Sequence, residues 1–588
     1  MGDIKQEKYT ANEANALYAE YNHFIISWIE SNLSIEYFVL HVAEIMIFTM
    51  AANILLAAIF FAFGKSILWY LLPLSFIVGL LIMCSLNTDK ISKQIIFEVS
   101  FVIIIFLALT YFSGRIYDFS YDGNTYHKLA VGLLKNHWNP LSKVPSEYMI
   151  EGNGEGAIWV ESYCKATWIF GASVYSMTGN IECAKVYTLI GILCAFLISI
   201  FFLKKNNKRI SFCLVFSVAA ASNPIALIQF RTFYVDGFMQ VILYILVIAL
   251  IIATQDNKVR KDIIGLICAT MIICGNIKYT GLLYGGVFCI SFFLLKSIII
   301  LRNNNKRWIR SRITVGILYL ILLAVILFWA GSTSYYTNLV NHGTITYPLT
   351  GDNPMDIVSG NSPFKESNHF NNLFVSLFSY MDNYFSNSSD SISGFKIPFS
   401  VNWEYEKYYL RVPDARISGF GVFFGGLFIV AIIILIVEFV RSKKDKMFWI
   451  KFVLFLTCLC MTLVVKESWW ARYAPYIFFI VLLALYVILD KKNKKTRYLG
   501  MIFSIVLICN NCLSLYWIPW TLNTSMQVET AITSLSERHV FAYTPHHNGA
   551  YFNLKDKNVY FTINPELEYE ESVEDLGYEL IVWKSINE

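Results

Sequence analysis

The feature that most limits what this chain can fold into is the regular interruption of long apolar runs by small clusters of charge. A bilayer core takes roughly 20 mostly apolar residues per helix. About thirteen such stretches can be cut out between the charge clusters: residues 36–63, 66–87, 95–112, 185–203, 211–229, 235–254, 262–277, 279–300, 313–331, 418–440, 447–465, 473–489 and 498–518. The short pair around Gly275–Gly281 reads equally as one broken element. Only 15% of the 588 residues are charged and 56% are hydrophobic, whereas a soluble chain carries about a quarter charged residues. This excludes a disordered chain and a nucleic-acid partner. The net charge of +5 is too slight to draw a polyanion. The expected fold is an all-α polytopic membrane protein of about thirteen transmembrane helices.

Orientation follows from the retention of short Lys- and Arg-rich loops in the cytoplasm. The basic loops are Lys90/Lys93, Lys204–Arg209, Lys258–Lys261, Arg302–Arg312, Arg441–Lys446 and Lys491–Arg497, and counting through the spans puts all of them on one side. The N-terminus is then cytoplasmic and the C-terminus outside, in an integral, multi-pass plasma (inner) membrane protein. Residues 1–32 are polar and the first apolar run is too long for a cleavable signal peptide, so the first helix is expected to stay as an anchor.

The same parity leaves three long polar segments outside: 113–184, 332–417 and 519–588. Loops of this length are usually functional or folded. In the first, Leu129, Ala130, Leu133 and Leu134 form an amphipathic pattern between Asp122 and His137-Trp138-Asn139-Pro140, which reads as a helix lying along the membrane surface. The last has three β-like runs, Val540–Tyr543, Val559–Thr562 and Leu580–Trp583, and an acidic stretch, Glu566–Glu574, with helical character. It reads as a small α/β segment.

Cysteine usage is uninformative, since ten of the twelve fall inside apolar spans. Cys164 and Cys183 share the first long loop and would be bridged only in an oxidising compartment. No Cys/His spacing matches a zinc site and neither Gly-rich phosphate fingerprint is present, so nucleotide-linked substrates are not expected.

Ionisable groups at membrane depth are costly and tend to mark function. Four places carry them at the expected outer ends of helices: Asp118/Asp122, Arg231/Asp236, Lys278/Tyr279 and Lys466–Tyr473. A carboxylate can accept the proton of an attacking hydroxyl while Lys and Arg neutralise a departing phosphate. Asp122, in Tyr121-Asp122-Gly123-Asn124-Thr125-Tyr126-His127, is the candidate base. Its competing role is the N-cap of the helix that follows. Asp118 is the alternative base. Lys278, inside an otherwise apolar stretch, and Arg472, whose planar guanidinium can grip a phosphate in two places, are candidate phosphate ligands. Arg231 is a third, unless it only pairs with Asp236. His127, Asp236 and Tyr126 are candidates for the acceptor or a metal. No cofactor is required by the sequence; a divalent metal shared by Asp122, Asp236 and His127 stays open. His546-His547 reads as solvent-exposed.

This layout resembles the membrane-embedded glycosyltransferases of the C superfamily, which includes protein mannosyltransferases and lipid A aminoarabinose transferases. Their shared module has seven helices, a long first outer loop with a catalytic Asp near its start, and a second long loop after helix seven. Residues 95–417 match that module, with loops 113–184 and 332–417. Residues 1–94, a tail and two extra helices, the four helices of 418–518 and the segment 519–588 lie beyond it. Tyr121–His127 with Trp138-Asn139-Pro140, Gly343–Leu349, the string 416–421 beginning at Arg416, and Trp469–Pro475 resemble strings of bacterial members. Two departures limit the resemblance. Protein mannosyltransferases carry Asp-Glu where this chain has Asp122-Gly123, so a protein acceptor is not implied. Oligosaccharyltransferases carry Trp-Trp-Asp where Trp469-Trp470 is followed by Ala471, so sequon glycosylation is not implied.

The resemblance implies transfer of a sugar, with inversion, from a polyprenyl-phosphate donor to a cell-envelope glycan or glycolipid at the outer face. Asp122 would be the general base, and Lys278, Arg472 and Arg231 would bind the donor phosphate. The partners are then the lipid-linked donor, the glycan or glycolipid acceptor and membrane lipids. A polymerase or ligase moving polyprenyl-diphosphate-linked glycans is the alternative, and a lipid-linked glycan transporter a more distant one.

Overall fold

The computed structural model describes residues 35–87, 94–142, 154–302, 308–351, 354–356, 368–381, 392–416, 419–569, 574–576 and 581–585. The polar stretch 1–32, the basic pair Lys90/Lys93, part of the basic loop after Arg302, residues 417–418 of one resembling string, Leu580 and residues 570–573 of the acidic stretch lie outside them.

Among the described residues nine helices are long and apolar enough to cross a membrane. The helices Leu71–Leu86, Ile210–Ala221 and Pro475–Leu489 are apolar but shorter, and Lys261–Ile277 has 17 residues. The chain is thus a mostly helical, polytopic membrane protein; the described residues hold nine candidate spans by length and composition, and the count of thirteen is not reached by these alone. One cause is the stretch 211–229, which the structure divides. Asn223 accepts hydrogen bonds from the backbone N–H of Ile225 (2.9 Å) and Ala226 (3.4 Å), and Pro224 takes the first helical position, so a new helix starts there. Conversely, the last span continues beyond residue 518 into one apolar run, Lys494–Ser534, of 41 residues.

Burial sorts these helices. In the best apolar window of Asp236–Gln255, 94% of residues are buried, against 17% in Gln94–Gly114 and in Arg312–Ala330. A helix that is apolar all round and enclosed by protein is central, whereas one equally apolar but exposed faces lipid. The helix Ile35–Ala62 is also central. Its Asn53 donates to Ser75 Oγ (3.0 Å) and Ser173 Oγ (3.1 Å), and its His41 meets Glu98 at 2.9 Å. The two N-terminal helices, which the resemblance sets outside the shared module, are therefore packed into the same core as the rest.

The break around Gly275–Gly281 falls on one residue. Helix Lys261–Ile277 ends, Lys278 is extended (φ −160°, ψ 150°), and the next helix starts at Tyr279. The basic loops meet at the other ends of the helices: Lys205 pairs with Asp256 at 2.8 Å, Lys446 Nζ donates to Gln255 O at 2.5 Å, and Lys208 pairs with Asp490.

The C-terminal segment is a small sheet on helical support. Strand His539–Tyr543 pairs in parallel with Tyr560–Ile563, the helix Tyr551–Asp556 crossing between them, and antiparallel with Val582–Ser585, which pairs with Glu574–Asp575. The β-like runs of the sequence thus become strands, and the acidic stretch becomes a short helical turn, Pro565–Tyr569, and a strand. The amphipathic helix Lys128–Lys135 is covered by protein on nearly all sides. Residues 128–134 are buried between the helix Ala166–Thr178 on one side and the C-terminal segment, through Gly549 and Phe552, on another.

Asp556 fastens this segment. Its carboxylate accepts from Ile181 N (2.7 Å) and from the Tyr175 hydroxyl, and burial pushes its carboxyl up to about 6 from an ordinary value of 3.8. The folded protein then holds this proton more tightly than the unfolded chain. Its contribution to stability is complete below about pH 4, and about 3 kcal/mol is lost as pH rises through 6. The expected result is an unfolding midpoint that falls between about pH 4 and pH 6.5. In Asp556→Asn, which keeps an acceptor oxygen, that slope should be absent when both are followed by tryptophan fluorescence in detergent.

Candidate active site

Five separate segments converge at one end of the bundle on a cavity of about 1320 Å³, lined among others by Asp122, His127, Asp236, Lys278, Asp414 and Arg472. Arg472 stands at its centre. Its Nη1 donates to Asp122 Oδ2 at 3.0 Å and lies 3.8 Å from Asp236 Oδ2, while Nη2 lies 3.0 Å from Asp414 Oδ1. Lys278 Nζ donates to the other oxygen of Asp236 at 2.7 Å and sits 3.8 Å from the centre of the Tyr473 ring. Three carboxylates and two cations thus share one enclosed space, where such groups interact far more strongly than in bulk water.

Each charge is held by a different device. Asp236 opens the helix Asp236–Gln255, where the helix dipole favours an anion. Gln229 Oε1 accepts from Gly237 N at 2.6 Å and ties that turn to the preceding helix. Lys278 projects from the one-residue helix break. Arg472 lies in a short turn whose backbone is gripped from the core: Gln240 Nε2 donates to Ala471 O (3.0 Å) and Arg472 O (3.2 Å), and Asn223 holds Gln240 at 2.9 Å. The Arg472 guanidinium rests against Trp470, Tyr473 and Tyr234, 4.5–5.3 Å from the ring centres. That packing fixes its plane.

Asp122 is not the N-cap of the helix that follows. It precedes a π-helical turn, Gly123–His127, and makes no capping hydrogen bond. Among the described residues only Oδ2 has a hydrogen-bond partner, and the side chain keeps 22% of its exposure, so Oδ1 is left to the cavity. Gly123 is required beside it, since a Cβ there would lie 2.1 Å from Asp118 Oδ2 and 2.2 Å from Ser120 Oγ. Asp118 stands apart from the cavity. It is fully buried, Oδ1 accepts from Ser120 N (2.7 Å) and Ser120 Oγ (2.5 Å), and Oδ2 accepts from Phe233 N (2.7 Å). Burial holds its carboxyl above the usual carboxylate range. Its place is that of a brace between the first long loop and the turn before Asp236.

Arg231 is engaged on the cavity wall. It donates to the carbonyls of Ile228 (3.2 Å), Leu410 (3.1 Å) and Arg411 (3.0 Å) and to Thr521 Oγ1 (3.3 Å), so it does not pair with Asp236. It pins the second long loop to the helix Ile518–Ser534. His127 accepts from Trp168 Nε1 through Nδ1 at 2.8 Å. This places its own proton on Nε2, and burial drives its pKa down to about 3. It is therefore a neutral donor at physiological pH. Tyr126 and His127 line the cavity with Trp159 and Tyr163, the His127 ring being 4.3 Å from Tyr126 and 5.4 Å from Tyr163.

Of the residues singled out from sequence, the structure brings together Asp122, Asp236, Lys278, Arg472, His127 and Tyr126; Arg231 sits on the same wall with its donors committed, and Asp118 lies behind it. Between Asp122 and Asp236 the nearest cation is the Arg472 guanidinium, and among the described residues no group of three His, Cys, Asp or Glu side chains is placed to hold a metal. Cys164 and Cys183 are free thiols. His547 and His546 lie 5.6–6.2 Å from the Tyr121 ring. Sequence reasoning missed Asp414. It also meets Arg416 at 2.5 Å, and its carbonyl accepts from Trp470 Nε1 at 2.6 Å. The signal available was the charged string Arg411-Val412-Pro413-Asp414-Ala415-Arg416 immediately before a span.

No known protein-family profile and no curated protein matches the chain. Among solved structures, the crystal structure of ArnT from Cupriavidus metallidurans in the apo state aligns with 84% of this chain and 98% of its own, at 12% sequence identity and a TM-score of 0.37. A likeness of that degree carries no argument about activity.

Proposed function

We propose that this chain is an integral-membrane, inverting glycosyltransferase that moves a sugar from a polyprenyl-phosphate donor to a hydroxyl of a cell-envelope glycan or glycolipid at the outer face. The observation that carries the reading is the placing of Asp122, with one oxygen turned to the cavity, within 3.0 Å of Arg472 and beside the Asp236–Lys278 pair. A proton acceptor and two phosphate-neutralising cations stand together at the ends of membrane helices, where a lipid-borne phosphate resides.

The acceptor hydroxyl attacks the anomeric carbon from the face opposite the phosphate. Its proton passes to Asp122 Oδ1 while the bond from carbon to phosphate oxygen breaks, and the electron pair leaves with the polyprenyl phosphate. Lys278 and Arg472 meet the charge that develops on that oxygen. Asp236 and Asp414 hold the two cations, and His127 Nε2 offers a donor to a sugar or phosphate oxygen. The cavity that holds this chemistry faces outward if the basic loops are cytoplasmic.

The test is transfer by purified protein in lipid, given a panel of radiolabelled polyprenyl-phosphate sugars with crude envelope lipids and read by thin-layer chromatography. Label entering a new product supports the reading. Failure with every monophosphate donor, followed by consumption of diphosphate-linked oligosaccharides, would replace it with the polymerase or ligase. In the same assay Lys278→Gln should lower kcat by about 10²-fold, the usual order for one lost transition-state contact.

A further inference from the structure

The C-terminal segment meets the first long loop along the backbone that carries Asp122, and the contact is close. A Cβ on Gly549 would lie 2.8 Å from Asn124 O, 2.8 Å from Lys128 Cβ and 2.9 Å from Leu129 N. A Cβ on Gly132, one helical turn further on, would lie 2.3–2.4 Å from the Phe552 ring. Two glycines, one on each partner, thus let the two backbones approach where any side chain would hold them apart.

Polar groups lock the same seam. Asn553 Oδ1 accepts from Lys128 Nζ at 3.0 Å and Asn553 Nδ2 donates to Glu182 Oε1 at 3.0 Å. Glu182 pairs with Lys128 at 2.7 Å and with Lys185 at 2.6 Å, all three side chains at 0–1% exposure. Lys185 in turn donates to Ile116 O at 2.5 Å and Ser113 O at 3.2 Å, the stretch that leads into the loop. The amide accepts from the ammonium and donates to the carboxylate at once, which an aspartate in its place could not do.

The loop needs such a lock because its own conformation is irregular. Asp122 enters a π-helical turn rather than a regular helix, Asn124 Oδ1 is buried without a hydrogen-bond partner among the described residues, and the helix after it has only eight residues. Short helices are marginal without tertiary support.

We infer that residues 546–556 form an intramolecular clamp that holds the Asp122 loop in register with Arg472, so that Gly549, Phe552 and Asn553 act as positioning residues. The clamp itself is a statement about the loop; its effect on turnover rests on the reading of Asp122 as a base. Two readouts keep these separate.

The first is hydrogen–deuterium exchange on the full chain in nanodiscs, comparing wild type with Gly549→Ala, Phe552→Ala and Asn553→Asp. The clamp requires amides of 121–135 to exchange at least about 10-fold faster in Gly549→Ala and Asn553→Asp, with peptides of Asp236–Gln255 unchanged. Phe552→Ala, which removes bulk instead of adding it, should give the same pattern more weakly. Unchanged exchange at 121–135, or a rise shared equally by the core helix, overturns it.

The second is steady-state transfer. A positioning role lowers kcat about 10-fold or more with the donor KM within twofold, whereas wild-type kcat alongside fast loop exchange overturns the positioning claim. Local exchange as expected with no transfer even by wild type sustains the clamp and sinks the transferase reading instead.

Discussion

Asp122→Asn should abolish sugar transfer, with kcat lower by about 10²–10⁴-fold, the range a general base supplies, in a protein that inserts and unfolds like wild type. The asparagine keeps an oxygen to accept from Arg472 Nη1, so the 3.0 Å contact survives. Asp414 and Asp236 still bracket the guanidinium. What is lost is the ability of the second oxygen to take a proton. A single-turnover assay with bound donor isolates that step from binding, and the donor KM should stay within about twofold. Wild-type turnover would move the base to Asp236, because both Asp118 oxygens are committed to Ser120 and Phe233.

Arg472→Ala should fail in two ways at once. Removing the guanidinium takes away the charge that meets the leaving phosphate. It also leaves Asp122, Asp236 and Asp414 facing one another, with Lys278 still paired to Asp236 and Arg416 to Asp414 but Asp122 without its partner. Breaking a largely buried pair by deleting one partner costs about 3–5 kcal/mol, so the unfolding midpoint should drop, unlike that of Asp122→Asn. Transfer should fall by at least about 10³-fold in kcat/KM. Arg472→Lys should recover stability but little activity, because a single ammonium does not span Asp122 and Asp414 as Nη1 and Nη2 do. Near-wild-type kcat/KM for the lysine variant would show that two-point bridging is unnecessary.

The apolar spans were legible because a bilayer imposes length and composition directly on the chain, and the helix break at Lys278 was visible as a lone cation in an apolar run. The ionisable residues at the helix ends were legible for the same reason. Their division of labour was not. Asp118 and Asp122 are four residues apart in similar surroundings, and only the fold turns the first toward Ser120 and Phe233 and the second toward Arg472. Arg231 and Arg472 look alike in sequence; one is spent on loop carbonyls contributed by residues 410–411, and the other is supplied with acids from three segments. Asp414 was missed because its importance comes from a partner 58 positions later (472 − 414). The cover of the helix at 128–135 was not legible, because an amphipathic pattern specifies that one face is covered without saying by what, and part of the cover comes from Gly549 and Phe552, more than 400 positions later.

The central position of Ile35–Ala62 has a consequence for how the protein is made. This helix carries Asn53, Glu44 and His41 on faces that meet other helices, yet it leaves the ribosome before any of them. Asn53 waits 22 residues for Ser75 and 120 for Ser173; Glu44 waits 43 for Asn87, and His41 waits 57 for Glu98. Until then each polar group must be borne by the segment alone at the translocon, where a carboxylate near mid-helix costs about 2.5–3.5 kcal/mol. The mean hydropathy of 2.4 over its apolar window is what lets the helix insert on credit of its own apolar surface. Mutations that trim this surface would therefore surface as failed insertion, well before any defect in packing.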